Sequence, residues 1–337
     1  AISANTDSGN LLFLQMHLAD VLRARGKLKE SVALYKHLLA CMDSKDYQRS
    51  PATLKLRQKY TMALLELGEG KEAETILQTS ISLCNATFGE AHPQTVDANM
   101  RLAKSLQLQA KYKKALPLSQ RVLKHWQANY GDTYRYTIYT KMLLAQILFG
   151  LNKFAESEEL CRQVVTVIDE KLGPTHKMSI IERRRLADVL FSQRKFKDAE
   201  DILRQVLRDC QTTLETSPMD KLNITSLLSE ILIEQFRFKE VADLLRPVLD
   251  NVDNQLDARV HVLTLYYKST YALVLGWLGR FDEARRVCRE TLCVQRRILG
   301  NDHKDTKYSE KVMNQLQKLQ NTQTVMEEVI QELQNTQ

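Results

Sequence analysis

The chain is poor in the residues that interrupt helices. Only 11 of its 337 residues are glycine and 6 are proline, while 44% are hydrophobic and 26% are charged. An all-β or turn-rich fold would need more glycine and proline, because tight turns depend on them. Their scarcity therefore favours long helices, and the hydrophobic content is sufficient for a folded core.

Long hydrophobic runs are also missing. Stretches such as YALVLGWLG at 271–279 are too short to cross a bilayer, which predicts that the chain has no membrane partner. The chain starts with Ala rather than Met and shows no basic or apolar signal segment there, so we interpret it as a segment of a longer protein. No C-x-x-C pair occurs, which is typical of reduced, mostly buried thiols in a cytoplasmic protein. The six cysteines are Cys41, Cys84, Cys161, Cys210, Cys288 and Cys293.

Catalytic and metal-binding motifs are absent from the sequence. It contains no P-loop, no G-x-S-x-G, no H-E-x-x-H and no paired Cys/His spacing, so we expect no enzyme, no cofactor and no metal site. The net charge of +7 is spread over 89 charged residues, which favours a mixed solvated surface over a nucleic-acid site. Trp126 and Trp277 could anchor a ligand, although packing is the more common role.

A short loop pattern recurs along the chain. FGEAHPQT at 88–95 is followed by YGDTYRYT at 130–137, LGPTHKMS at 172–179 and LGNDHKDT at 299–306. The first three octets start 42 residues apart, and the fourth starts three such periods plus one residue later. A fixed period of this length indicates a repeat architecture.

Four more positions follow the same period in seven copies. The first is always small: Ala19, Thr61, Ala103, Ala145, Ala187, Ser229 and Ala272. Three residues later comes a leucine: Leu22, Leu64, Leu106, Leu148, Leu190, Leu232 and Leu275. Nine after the small residue, mostly aromatic side chains follow: Leu28, Gly70, Tyr112, Phe154, Phe196, Phe238 and Phe281. Twelve after it stand Ser31, Ala73, Ala115, Ser157, Ala199, Val241 and Ala284.

These registers predict a pair of helices in each repeat. Residues at i and i+3 share one helical face, and small side chains on facing helices let the two backbones approach closely. The octets would connect one pair to the next. Their glycines Gly89, Gly131, Gly173 and Gly300 are predicted to be left-handed helix ends, and Thr95, Thr137, Ser179 and Thr306 to be N-caps. Ser179 with Glu182 would form a capping box, and the Ser-Pro pairs at 50–51 and 217–218 would start helices.

The pattern small-x-x-Leu, then an aromatic, then Ala resembles the tetratricopeptide (TPR) signature. With a 42-residue unit and G-x-x-H-x-x-T between helices, it is similar to the repeats of kinesin light chains. The resemblance implies an all-α, right-handed superhelical solenoid of about seven helix pairs over residues 1–306. The repeats would lie near 10–50, 51–93, 94–135, 136–177, 178–218, 219–258 and 259–305.

The resemblance also implies an interaction scaffold, because TPR arrays bind peptides or helices on the face lined by the first helix of each pair. We call the corresponding registers groove positions. The implied groove residues are Lys55, Gln58, Lys59, Met62, Asp97, Met100, Arg101, Lys104, Tyr139, Met142, Gln146, Phe149, Arg184, Arg185 and Asp188. The alternative for each apolar member is contact between adjacent first helices.

The charges at these positions predict an acidic partner. Basic residues outnumber acidic ones in repeats two to five, so we expect a partner with carboxylates and an apolar anchor near Met100, Met142 and Phe149. The alternative is that these charges only keep an open surface hydrated. A motor–cargo adaptor is the first functional interpretation. The alternative is the regulatory or sensor region of an NLR-like signalling ATPase, whose TPR arrays have the same long unit.

The segment 307–337 departs from the repeat. Val312, Leu316, Leu319, Gln323, Met326, Ile330 and Leu333 follow a heptad spacing. The segment would be a helix that either caps the last repeat or supports weak self-association. Thr324 with Glu327 would break this helix in two.

Overall fold

A computed structural model describes residues 2–42, 50–212, 218–253 and 258–335. Over these ranges every regular element is a helix and there is no strand, which confirms the all-α prediction. The helices are α1 (Ile2–Ala24), α2 (Leu28–Met42), α3 (Pro51–Leu67), α4 (Gly70–Phe88), α5 (Pro93–Leu108), α6 (Tyr112–Tyr130), α7 (Arg135–Gly150), α8 (Phe154–Leu172), α9 (Lys177–Ser192), α10 (Phe196–Thr212), α11 (Pro218–Glu234), α12 (Phe238–Asp253), α13 (Ala258–Trp277), α14 (Phe281–Leu299) and α15 (Lys304–Asn335).

The helices form two compact units, which we call the N-terminal unit (Ala1–Val167) and the C-terminal unit (Ile168–Gln337). In the N-terminal unit consecutive helices from α1 to α7 pack against one another, and α3 also contacts α5, which contacts α7. In the C-terminal unit consecutive helices from α9 to α15 pack in the same way, and α9 also contacts α11. Each helix is therefore buried mainly by its neighbours in sequence, as in a repeat stack.

The small residues lie where the two helices of a pair meet. All seven in the first register and all seven in the second are buried. In two pairs the small residue of the second helix is a serine whose hydroxyl donates to the carbonyl of the small residue on the first helix: Ser31 Oγ to Ala19 O and Ser157 Oγ to Ala145 O, both at 2.8 Å. So close an approach of side chain to backbone explains why small residues occupy all but one position of these registers, the exception being Val241.

Each first helix ends just beyond the repeated leucine. In all seven pairs the leucine carbonyl accepts a bond from the N–H five residues later, and the residue before that N–H has a positive φ. This is the Schellman ending, which normally uses glycine at the left-handed residue. Six of the leucines are buried, whereas Leu22 is half-buried because α1 packs only against α2 and α3. The second helix then begins at the mostly aromatic register in every pair.

The octet glycines have a different conformation from the one the sequence predicts. Gly89, Gly131 and Gly300 have φ between 80° and 86°, but their ψ values of 166°, 176° and 169° lie far from the left-handed helical value. This region is accessible essentially to glycine alone. The backbone therefore reverses sharply after the second helix instead of adding one left-handed turn, and the glycine is required for that reversal.

The predicted N-caps are also displaced by three residues. His92 and His176 are the caps, and each ring accepts from a backbone N–H through Nδ1: from Gln94 at 3.3 Å and from Met178 at 3.1 Å. The Thr or Ser at the end of each octet lies inside the next helix, and its hydroxyl donates back to the octet glycine carbonyl at 2.7–2.9 Å. These residues are Thr95, Thr137, Ser179 and Thr306.

Two capping boxes predicted from the sequence are not formed. Buried Glu182 pairs with Arg185 at 2.5 Å instead of reaching back to Ser179, because the Ser179 hydroxyl is held by Gly173. Thr324 lies within continuous α15, where its hydroxyl donates to Gln320 O at 3.1 Å. By contrast Ser50 does cap α3, accepting from Thr53 N at 3.1 Å; Ser217 lies outside the described residues.

The start of α15 covers the last helix pair. Val312 and Leu316 are buried against α13 and α14, and a Cβ added to Gly276 would overlap Leu316 Cδ2. Further along the helix Val325 and Met326 are exposed. The first half of the heptad spacing is therefore buried in the packing of α15 on α13 and α14. A capping role for this segment and weak self-association through the rest stay predictions.

Candidate functional site

Groove positions of three successive first helices enclose a hollow in the N-terminal unit. It lies on α3, α5 and α7, has a volume of about 490 Å³, and we call it the basic hollow. Its lining residues are Met62, Leu65, Glu66, Met100, Arg101, Lys104, Arg135, Tyr136 and Tyr139. Five of them, Met62, Met100, Arg101, Lys104 and Tyr139, are groove residues that the sequence implies.

The apolar side of the basic hollow is partly a wall of the core. Met100 is only 4% exposed, and its sulfur accepts from the Thr140 hydroxyl of α7 at 3.3 Å. Met100 therefore does fill the contact between adjacent first helices, which was the alternative at this position. Tyr139 is 41% exposed and Met62 is half-buried, so these two present apolar surface that a ligand can reach.

An aromatic stack holds one edge of the basic hollow in place. Trp126 of α6 is buried, and its ring stacks on Tyr136 with 5.3 Å between centroids. The Arg135 guanidinium lies 4.6 Å above the Tyr136 ring, and its Nη2 donates to the Tyr136 hydroxyl at 3.0 Å. Trp126 thus has a packing role, and it orients the first turn of α7, which carries Arg135 and Tyr136 into the hollow.

The cations of the basic hollow are held in defined positions. Arg101 Nε donates to Asp97 Oδ2 at 2.8 Å, and both side chains are largely buried. Lys104 Nζ donates hydrogen bonds to Gln107 Oε1 at 2.8 Å and to Gln146 Oε1 at 3.5 Å. Asp97 offsets the charge of Arg101.

The one carboxylate that lines this hollow is also paired. Glu66 Oε1 accepts from Arg23 of α1 at 2.6 Å, which offsets its charge. Two further cations, Lys104 and the exposed Arg135, line the same hollow. The hollow is therefore suited to a carboxylate beside an apolar group.

Other implied groove residues of the N-terminal unit lie outside the lining of this hollow. They are Lys55, Gln58, Lys59, Asp97, Met142, Gln146 and Phe149. Lys59 forms an ion pair with Asp20, which also accepts from the Tyr35 hydroxyl at 2.5 Å. Burial works to raise the pKa of Asp20, but the bonds from Lys59 and Tyr35 outweigh it and lower that pKa. Lys59 is therefore engaged within the chain.

The remaining implied residues belong to the C-terminal unit, where they pair locally. Arg184 Nη2 lies 3.2 Å from Asp188 Oδ2, and Arg185 Nη1 lies 2.5 Å from Glu182 Oε1. Burial raises the pKa of both carboxyl groups, and the neighbouring arginines only partly oppose it. These arginines therefore have carboxylate partners of their own on α9.

Of the four other lining residues, Leu65 stands at a groove register, four residues after Thr61, and three were missed by the repeat register: Glu66, Arg135 and Tyr136. Glu66 stands one residue beyond the groove positions taken from the family, and the other two lie in the second octet. That octet, YGDTYRYT, is the one with Tyr-Arg-Tyr where the others have His followed by Pro or Lys. Its departure from the pattern was the available signal.

Over the part of the chain that the structure describes, no group of three or more His, Cys, Asp or Glu side chains is placed to hold a metal ion. Among the same helices, none combines the length and the hydropathy of a membrane span. Cys84, Cys161, Cys210 and Cys288 are buried and all six cysteines are free thiols, in agreement with the sequence-based expectation.

Known proteins with similar structures are repeat proteins. A protein described as a Podosopora anserina kinesin light chain with nearly identical TPR-like repeats is 21% identical, with a TM-score of 0.50 over 61% of this chain and 97% of that one. The apo form of RapI is 11% identical, with a TM-score of 0.57 over 85% and 98%. A Rap protein complexed with competence and sporulation factor is 9% identical, with a TM-score of 0.53 over 85% and 75%.

These likenesses show the fold alone. Comparison with curated proteins finds none that matches the chain. Sequence models described as tetratricopeptide repeat match residues 57–128, 94–170, 134–212 and 264–305, which together are more than half of the chain. The matched family is a repeat family and indicates no enzymatic activity. With its helix pairs, its small-residue contacts and these matches, the chain belongs to the tetratricopeptide repeat family.

Proposed function

We propose that the chain is a protein-interaction scaffold whose basic hollow binds an acidic segment of a partner protein. The observation that carries the proposal is the meeting of Lys104 and Arg135 with accessible Met62 and Tyr139 in one hollow. A carboxylate can bond the cations while a neighbouring apolar side chain covers the methionine and the ring. Tetratricopeptide repeats generally bind protein partners, and a Rap protein of similar fold is complexed with competence and sporulation factor.

The free thiols support a reducing compartment, so we assign the scaffold to the cytoplasm. The fold likeness to a kinesin light chain makes a motor–cargo adaptor the first role to test. The role as a regulatory region of an NLR-like ATPase stays a prediction.

The test compares two labelled peptides by fluorescence anisotropy. Gly-Glu-Leu-Glu-Gly carries the expected chemistry, and Gly-Gln-Leu-Gln-Gly has the same shape without charge. We expect the acidic peptide to bind about tenfold more tightly at low salt, and the advantage to shrink as salt is added. Equal affinity for the two peptides would exclude the acidic-ligand proposal.

A matched pair of variants locates the site. Lys104→Gln with Arg135→Gln should remove most of the acidic preference. Lys113→Gln with Lys124→Gln changes the net charge equally at exposed positions of α6 and should leave the preference intact. An equal loss in both variants would mean that total charge, rather than the basic hollow, attracts the peptide.

A further inference from the structure

A second hollow lies in the C-terminal unit and has a different chemistry. Groove residues of α11 and α13 meet the start of α15 around a volume of about 200 Å³. Four aromatic side chains line it: Tyr266, Tyr267, Trp277 and Tyr308. Glu230 is the acidic member of the lining, and we call this site the aromatic hollow.

The three tyrosine rings form a connected wall. The Tyr266 centroid lies 5.3 Å from that of Tyr267 at a steep angle and 5.1 Å from that of Tyr308. The indole of Trp277 packs against the ring of Phe238 on α12, with 4.7 Å between the ring centroids. Trp277 is nevertheless 38% exposed. Burial raises the pKa of the Tyr266 hydroxyl, with a further contribution from Tyr308, so this ring is uncharged at neutral pH.

The charge near the aromatic hollow is negative. Glu230 is open to solvent, yet the surrounding protein and the nearby Asp188 raise the pKa of its carboxyl group, while Arg184 opposes them. Arg184 lies 3.2 Å from Asp188, so the cation of this cluster is already paired. Arg185 also acts on Asp188 but is paired with Glu182, so three carboxylates face two arginines, which leaves an excess of negative charge once all three are ionised.

We propose that the aromatic hollow binds the ammonium group of a lysine side chain in a basic segment of a partner protein. Aromatic faces attract cations, most strongly where the cation is shielded from water, and Glu230 supplies the opposite charge. A purely apolar side chain would cover the carboxylate without pairing it, which costs free energy. The inference rests on the proposed function, because the lysine belongs to a bound protein segment.

The first experiment measures the affinity of three labelled pentapeptides for the whole chain. Gly-Ser-Lys-Ser-Gly carries the ammonium group, a second form carries trimethyl-lysine, and a third carries norleucine, an uncharged side chain of similar length. We expect the lysine peptide to bind about tenfold more tightly than the norleucine peptide, and Trp277 emission to change on binding. Equal affinity for lysine and norleucine, or no binding of either, overturns the proposal.

The trimethyl-lysine peptide distinguishes attraction of the cation by the aromatic rings from its pairing with Glu230. Tighter binding than unmodified lysine supports recognition chiefly by the rings, because a quaternary ammonium donates no hydrogen bond. Weaker binding supports recognition chiefly by Glu230. Either result supports the proposal as long as both cationic peptides bind more tightly than the norleucine peptide.

Two variants test the site itself. Glu230→Gln keeps the shape and should reduce lysine affinity about fivefold, with norleucine affinity unchanged. Glu234→Gln is the control, one turn along α11 and equally exposed, and should have less than a twofold effect. Tyr266→Leu keeps an apolar wall and should reduce the preference for cations; unchanged preference in both Glu230→Gln and Tyr266→Leu overturns the assignment.

These measurements distinguish failure of the lysine-binding proposal from failure of the proposed function. The acidic peptide reports on the basic hollow, and the lysine-to-norleucine ratio reports on the aromatic hollow. If the acidic peptide binds without preference but the ratio persists, the assignment of the basic hollow is wrong and that of the aromatic hollow stands. If the acidic peptide keeps its preference but lysine and norleucine peptides bind equally, the assignment of the aromatic hollow is wrong and that of the basic hollow stands.

Discussion

The basic hollow and the aromatic hollow occupy the same repeat registers and carry opposite charge. Tyr139 in one and Tyr266 in the other both stand six residues before the small position of their repeat. One residue after that position stands Lys104 in the basic hollow and Glu230 in the aromatic hollow. Positions that build the helix pair therefore repeat almost unchanged, while exposed and half-buried groove positions such as Lys104 and Glu230 vary in charge because the contact between the two helices of a pair does not depend on them.

The prediction with the largest expected effect tests whether the repeats that carry the two hollows have equivalent cores. Leu106→Ala below the basic hollow and Leu232→Ala below the aromatic hollow should each lower the free energy of unfolding by about 2–5 kcal/mol, because both side chains are buried at the same register. Chemical denaturation of each variant measures this. Leu108→Ala, at an exposed position of α5, is the control and should cost much less. If Leu232→Ala left the free energy of unfolding almost unchanged, the two leucine positions would not be equivalent.

The next prediction exchanges the charges. Lys104→Glu should reduce affinity for the acidic peptide at least about tenfold, and Glu230→Lys should do the same for the lysine peptide, because each places like charges together. Anisotropy titrations at low salt measure both. Each variant should leave the affinity for the other peptide unchanged. If either exchange weakened both peptides, the two hollows would not be separate sites.

The carboxyl groups near the two hollows should respond to pH in opposite ways. Asp20 has a lowered pKa, so its contribution to stability is present above its unfolded pKa and is lost as pH falls. Asp20→Asn should then cost about 1 kcal/mol at pH 7, after allowance for partial exposure, and little in strong acid.

Asp188 has a raised pKa, so its contribution is present below its unfolded pKa and is lost as pH rises through the folded pKa. The stability of Asp188→Asn relative to the parent should therefore increase between pH 3 and pH 7. Urea unfolding across this range measures both variants. Parallel pH profiles for Asp20→Asn and Asp188→Asn would contradict the assigned shifts.

The smallest effect concerns the turn inside each pair. Phe236 in the C-terminal unit has φ 61° and is 80% exposed, while Ala110 at the same register of the N-terminal unit has φ 55°. Replacing either by glycine relieves the left-handed backbone but frees the unfolded chain, so each should raise stability by less than about 1 kcal/mol. Thermal unfolding measures both. A marked loss of stability in Phe236→Gly would reveal a packing role for this exposed ring.

Much of the fold could be predicted from local pattern. The small registers, the repeated leucine and the start of each second helix at Phe154 or its equivalents follow from contacts within one pair, which recur in every copy. Thr95 and Ser179 are not the caps, although a hydroxyl before a helix is the usual cap, because the ring nitrogens of His92 and His176 accept the backbone N–H bonds there.

The groove could be predicted only in part. Register alone located Met100, Arg101 and Lys104 on one face, but it could not show that Arg101 is paired with Asp97 or that Met100 is buried by Thr140 of α7. It also missed Arg135 and Tyr136, because the stack on Trp126 that orients them depends on residues of two different helices. Pairing and burial are properties of neighbouring repeats, which no single repeat encodes.

The sequence by itself determined the repeat: its 42-residue period, the helix pairs and the positions where backbones touch, since these depend on side-chain size at fixed spacing. Only the tertiary structure decided which groove residues share a hollow and what charge remains there. Lys104 and Glu230 stand at equivalent positions in the sequence, but the charge each presents depends on amides, arginines and carboxylates from adjacent helices. Those distances are set when the repeats stack, because electrostatic interactions depend on separation and burial rather than on order along the chain.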